Sequence, residues 1–152
     1  MQRSLSHQKP LAPVFALLGF AVYSSLSTIY LFVPPLFALL YVMFARALKR
    51  EDTLYIFFIF LALMIFEANF HYFVFSSIIY FYLLYQVIMP KITQSFSCKL
   101  CIRIASVALA YIGYYLFLLL LSNIFLLEAP QLSYYIIYYI IIEFFLVSLL
   151  YE

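Results

Sequence analysis

An acidic residue inside an apolar stretch is the first feature of this sequence that could do chemistry. Glu143 lies within the apolar stretch 132–150, and Tyr135 and Tyr139 precede it at intervals of four residues. Residues four apart share one face of a helix, so the tyrosine hydroxyls are predicted to bond the carboxyl group. An ionised side chain deep in a membrane costs about 2.5–3.5 kcal/mol, so Glu143 is expected to face the interior of a helix bundle.

Three roles for Glu143 are compatible with this position. The favoured one is a protonated, hydrogen-bonded structural acid that holds helices together. The second is a relay for protons or cations. The third is a docking contact with another membrane protein.

A second polar cluster consists of Glu67, Asn69 and His71. These residue types could bind a metal ion or a substrate at an outer hairpin. Their spacing matches no known metal-binding pattern, and no further His, Asp or Cys lies in another outer segment to complete a ligand set. We therefore favour a polar hairpin tip at the lipid headgroups, and we predict no metal ion and no cofactor.

Cys98 and Cys101 form a C-x-x-C motif, which can indicate thiol redox chemistry. Lys99 and Arg103 place this motif on the cytoplasmic side, where thiols stay reduced. We interpret both cysteines as small apolar or interfacial residues. The sequence contains no Walker A, GxSxG or HExxH motif, so it predicts no catalytic residue and no enzyme activity.

The composition decides which elements must position these residues. The chain has 152 residues, of which 69% are hydrophobic and 9% charged. That leaves too little polar surface for a water-soluble domain, so we predict an all-α, polytopic transmembrane helical bundle. The net charge of +2 is explained by membrane topology, and nucleic-acid binding is not expected.

The basic residues predict the topology, because Lys and Arg near the ends of membrane spans stay on the cytoplasmic side. The eight of them form three clusters: Arg3 and Lys9; Arg46, Lys49 and Arg50; and Lys91, Lys99 and Arg103. An even number of spans must separate successive clusters. We predict one integral membrane domain, 1–152, with cytoplasmic termini and six spans at about 11–29, 31–48, 54–70, 72–89, 100–127 and 132–150.

Local sequence features predict the start of the second span and the division of residues 54–89. Pro34 and Pro35 are predicted to lie in the first turn of the second span, where a missing N–H does least harm. Residues 54–89 form either one long helix or two spans that turn near residues 67–71. The two-span interpretation is favoured because it keeps the third basic cluster on the cytoplasmic side of the membrane.

The layout resembles the MreD family of bacterial rod shape-determining membrane proteins. The resemblance rests on a second span that opens with PPLFALLY (34–41), an apolar run that reaches an acid at Glu67, and SSIIYFYLLY (76–85) before a basic loop. It implies a non-enzymatic protein of the bacterial inner membrane. Such a protein helps to couple a cytoplasmic actin-like filament to the enzymes that elongate the peptidoglycan wall.

The resemblance also implies partners. These are the lipid bilayer and other membrane proteins of the elongation complex, with Arg46, Lys49 and Arg50 as cytoplasmic docking candidates. An alternative is the substrate-binding membrane subunit of a vitamin-type importer, which predicts a cavity open to the outside near residues 67–71. A third interpretation is a subunit that only stabilises another complex. The sequence predicts no oligomeric state.

Overall fold

A computed structural model describes residues 11–126, 128–131 and 133–150. Within these ranges the chain forms six helices and no strand, which confirms the all-α prediction. The helices are α1 (Leu11–Ile29), α2 (Phe37–Arg50), α3 (Thr53–Phe70), α4 (Ser76–Leu83, a π-helical turn Leu84–Ile88, and Met89–Ser95), α5 (Lys99–Phe125, with a π-helical turn Leu109–Gly113) and α6 (Tyr135–Leu150).

Two of the described helices, α3 and α5, are long and apolar enough to cross a membrane. Their mean hydropathies are 2.0 and 2.2. The helices α1 and α6 are also apolar but have fewer residues. A membrane location is therefore supported by two helices, and the number of six spans stays a prediction.

The helix α2 lies at the centre of the bundle, where it packs against α3, α6 and the π-helical turn of α5. The ring of its first residue, Phe37, lies 4.6–4.9 Å from the rings of Phe66, Phe81 and Tyr114, measured between centroids. These contacts bury Phe37 almost completely. The amino end of α2 is therefore part of the aromatic core.

The prediction that Pro34 and Pro35 lie in the first helical turn is wrong. Both precede α2, and Leu36 adopts the left-handed conformation (φ 57°) immediately before the helix begins. With 14 residues, α2 is about 21 Å long, which is less than the roughly 30 Å of a hydrocarbon core. A helix of this length begins inside a membrane if its other end lies at the surface.

Residues 54–89 form two helices and not one. They are joined by residues 71–75, and α4 begins at Ser76 after Phe75 in the left-handed conformation (φ 69°). Glu67 is therefore in the last turn of α3 and not in the connection. The predicted starts at 72 and 132 are too early by four and three residues, since α4 and α6 begin at Ser76 and Tyr135.

One end of the bundle collects basic side chains. Arg46 Nη2 donates to the carbonyl oxygen of Leu150 (3.0 Å), and Arg103 Nη1 donates to Ser148 Oγ (3.4 Å). A cation at a helix carboxyl end is favoured by the free carbonyl groups there. The predicted end of the second span at about residue 48 is two residues early, because α2 continues through Arg50.

Candidate functional site

Glu143 forms an amino-terminal cap for a different helix. Its carboxyl group is fully buried, and Oε1 accepts the N–H of Phe37 (3.0 Å) while Oε2 accepts those of Ala38 (2.7 Å) and Leu39 (3.2 Å). The first N–H groups of a helix have no partner within it, and they attract negative charge. Glu143 on α6 thereby satisfies the buried start of α2.

A tyrosine from a third helix completes this site. The hydroxyl group of Tyr111 donates to Glu143 Oε1. Tyr111 belongs to the π-helical turn of α5, whose Leu109 carbonyl oxygen accepts a bond from the Tyr80 hydroxyl (2.6 Å). A Cβ on Gly113 would lie 2.0 Å from that same hydroxyl oxygen. The geometry of the turn therefore depends on glycine at this position.

The tyrosines predicted to bond Glu143 have other contacts. The Tyr139 hydroxyl donates to the carbonyl oxygen of Leu31 (2.6 Å), and the Tyr135 ring stacks on Tyr139 with centroids 6.4 Å apart. The predicted bond is wrong because side chains on a helix point back towards its amino end. A long side chain one turn before Glu143 therefore reaches away from the carboxyl group.

Hydroxyl groups also satisfy the non-helical segment that precedes α2. Tyr23 donates to the carbonyl oxygen of Pro34 (2.8 Å), and Ser27 donates to that of Val33 (2.8 Å). The bond to Leu31 adds a third contact to the same segment. Irregular backbone at membrane depth persists only where protein or water satisfies its polar groups. Side chains of α1 and α6 thus satisfy carbonyl groups of this segment.

Glu67 repeats the capping arrangement at α4. It is 1% exposed, its Oε2 accepts the N–H of Phe75 (2.7 Å), and its Oε1 accepts both the N–H (2.7 Å) and the hydroxyl (2.5 Å) of Ser77. The Ser76 hydroxyl lies between Oε1 (3.4 Å) and Tyr114 (2.9 Å). The prediction of a polar hairpin tip at the lipid headgroups is therefore wrong for Glu67, which is buried in the last turn of α3.

The other two members of that cluster do not join Glu67. Asn69 Nδ2 donates to Ser24 Oγ (2.9 Å) and so ties α3 to α1. His71 is exposed, ends α3 in the left-handed conformation (φ 55°), and lines a cavity of about 310 Å³ together with Glu128. The three residues predicted as one polar cluster thus have three separate positions.

The cysteine pair lies at the start of α5. Cys98 Sγ accepts the N–H of Cys101 (3.4 Å), and both thiols are free. A hydrogen bond with the Cys101 side chain lowers the pKa of the Cys98 thiol. Of the docking candidates, Lys49 and Arg50 are exposed, whereas Arg46 already bonds α6.

The chemistry of the two carboxyl sites is hydrogen-bond acceptance. The two carboxylates are the acceptors in the hydrogen bonds that they form with the protein, as the unpaired N–H groups of a helix start require. Within the described ranges, no three His, Cys, Asp or Glu side chains are grouped so that they could hold a metal ion. Comparisons of the chain with protein-family models, curated proteins and solved structures found no match.

Proposed function

We propose that this chain is a non-enzymatic, six-span scaffold of the bacterial inner membrane that acts in the cell-elongation machinery. The observation that carries the proposal is that Glu67 and Glu143, the acids inside the predicted spans, are both committed to capping buried helix starts. Both carboxyl groups therefore have a structural role. A relay for protons or cations would need a carboxyl group that can exchange its hydrogen-bond partners. What stays exposed on the described helices is suited to contacts with lipid and protein.

The exposed surface supports the membrane part of the proposal. Large apolar side chains at least 59% exposed include Phe15 and Val22 on α1, Leu120 and Ile124 on α5, and Phe145 and Leu149 on α6. A soluble monomer rarely exposes contiguous apolar patches of this kind. Lipid tails or the helices of membrane partners would cover these faces.

The basic end supports a cytoplasmic orientation for both termini. Arg46 and Arg103 contact the carboxyl-terminal part of α6, so the ends of α2 and α6 and the start of α5 lie at one end of the bundle. Lysine and arginine near span ends mark the cytoplasmic side. Lys49 and Arg50 then form the cytoplasmic docking surface, and the resemblance to the MreD family supplies the cellular role.

Depletion of the protein in the bacterium that encodes it tests this role. We expect cells to widen or round up, with dispersed wall insertion, when they are followed by microscopy. Wild-type protein should restore the shape, and a variant with Lys49→Glu and Arg50→Glu should fail to. The matched control, Lys91→Glu with Lys99→Glu, carries the same change in charge and should restore it. Normal cell shape after depletion contradicts the proposal.

The outer cavity favours one other candidate, the substrate-binding subunit of an importer. His71 and Glu128 lie at this cavity, and its volume of about 310 Å³ is at the lower end of the range of about 300–1,000 Å³ for small-molecule sites. This candidate predicts a small molecule that co-purifies with the protein and is lost on His71→Ala. Mass spectrometry of the purified protein that detects no such molecule rejects it.

A further inference from the structure

A groove lies between α1, α2 and α3. It has a volume of about 370 Å³, and apolar side chains form nearly all of its lining, among them Leu40, Met43 and Ile59. Gly19 forms part of its wall, and a Cβ added there would meet no atom within 4 Å. The protein therefore leaves this space open where a side chain would fill it.

A cation, Arg50, follows the lining residues of the groove along α2. Leu40 and Met43 line the groove from α2, and Arg50 follows Met43 by seven residues, so these three lie on one face of the helix. Arg50 is exposed in the last turn of α2. Tyr55, in the first turns of α3, lines the same groove and is 51% exposed. Tyrosine at this position is typical of the membrane interface.

We propose that this groove binds one phospholipid of the cytoplasmic leaflet, with an acyl chain along Gly19 and the phosphate at Arg50. The inference rests on the proposed function, which places Arg50 at the cytoplasmic surface. Anionic lipids are concentrated in that leaflet, and an arginine guanidinium group can bind a phosphate through two hydrogen bonds.

The occupant is a lipid and not a partner helix because of what lines the groove. The acyl chain of a lipid needs only apolar contacts along its length. Its phosphate needs a cation at one end of the groove, and Arg50 is such a cation. A helix docked in the same place would gain from polar or small residues along the seam. The small lining residues of the groove are Ala16, Gly19 and Ala62, and they are outnumbered by bulky apolar ones.

Native mass spectrometry of the full chain tests the proposal. Wild-type protein in detergent is titrated with phosphatidylglycerol and with phosphatidylcholine of the same chain length. We expect one phosphatidylglycerol per chain, bound at least tenfold more tightly than phosphatidylcholine. Gly19→Phe fills the groove and should abolish binding of both lipids, and Gly19→Leu should weaken it. Leu18→Phe, on the exposed lipid-facing side of the same helix, is the control and should bind as wild type does.

The headgroup is tested separately. Arg50→Gln should weaken the binding of both lipids, because both carry a phosphate, and should weaken phosphatidylglycerol more, since only that headgroup has a net negative charge. Lys99→Gln should keep both affinities. Equal lipid affinities of the wild type and Gly19→Phe overturn the proposal. A Gly19→Phe variant that changes the oligomeric state but not lipid binding also overturns it, because a protein then occupies the groove. A cytoplasmic reporter signal at residues 51–52 combined with absent lipid binding rejects the lipid site alone; a periplasmic signal there rejects the proposed topology.

Discussion

At the scale of the residue, Glu67 and Glu143 have the same role, because each binds the unpaired N–H groups at the start of a buried helix. Each carboxyl group is buried, and each accepts N–H groups from the start of another helix or of the next helix along the chain. Bonds from N–H groups to a carboxylate are roughly twice as strong as those between neutral groups. A buried acid in this setting is a structural element, and the protonated state expected for Glu143 stays a prediction.

The contact between Tyr111 and Glu143 leads to a prediction about stability. Tyr111→Phe keeps the ring and removes the hydroxyl donor, so we expect the free energy of unfolding to fall by about 1.5–3 kcal/mol, as for a bond to a charged group. Thermal unfolding of the purified protein in detergent measures this. Tyr134→Phe, at a position that is 95% exposed, is the control and should leave the unfolding temperature unchanged. Equal unfolding temperatures for the two variants would refute the contact.

The sequence could identify the acids but not their partners. Glu143 stands out because it lies in an apolar stretch, and Ser76-Ser77 after Glu67 are residues that favour a helix start. Nothing local points from Glu143 to Tyr111 or to the N–H of Ala38, which are 32 and 105 residues away. Such pairs depend on which helices are neighbours, and a single sequence does not state that.

At the scale of the element, the helices α2 and α4 start inside the bundle. Both follow a residue in the left-handed conformation, Leu36 or Phe75, and neither of these residues provides a side-chain cap. Non-glycine residues in that conformation carry strain of about 1–3 kcal/mol. The two carboxyl caps, with the hydroxyl bonds of Tyr23 and Ser27 to the backbone, offset that cost.

The π-helical turn of α5 gives a prediction about its glycine. Gly113→Ala places a Cβ against the Tyr80 hydroxyl, so we expect a loss of about 1–3 kcal/mol in stability from overpacking. Gly19→Ala, where the space is open, should instead be neutral or stabilise the helix by up to about 1 kcal/mol. Thermal unfolding of both variants compares them directly.

A second substitution identifies the cause of that loss. Tyr80→Phe removes the atom closest to the new Cβ, so the double variant with Gly113→Ala should lose less stability than the sum of the two single variants. Strict additivity would show that the Tyr80 hydroxyl is not what requires glycine at 113.

At the scale of the whole molecule, the bundle has one basic end and apolar flanks. The sequence predicted the helical class and placed α1 at 11–29 and α3 at 54–70, close to the observed bounds, because long apolar runs report helices well. It missed the starts of α2 and α4. Both starts follow a residue in the left-handed conformation, and α2 is capped from 105 residues away. Hydropathy indicates neither feature.

Reporter fusions test the six-span topology. We expect periplasmic activity for alkaline phosphatase fused after Val74 and after Pro130, and cytoplasmic behaviour for fusions after Glu51 and after Phe96. Each site lies in a described connection between helices. Green fluorescent protein at the same four sites is the control, because it should fluoresce only at the two cytoplasmic ones. A cytoplasmic signal after Val74 would leave the third and fourth spans without support.

The central claim is that Glu143 caps the start of α2, and amide hydrogen exchange of the Glu143→Gln variant tests it most directly. Glutamine turns an N–H donor towards the donors of Ala38 and Leu39, so exchange at residues 37–39 should speed up by about 10- to 100-fold, for a loss of about 1.5–3 kcal/mol. Exchange at Phe75 and Ser77, capped by Glu67, should stay as in wild type. Unchanged exchange at residues 37–39 would contradict the claim.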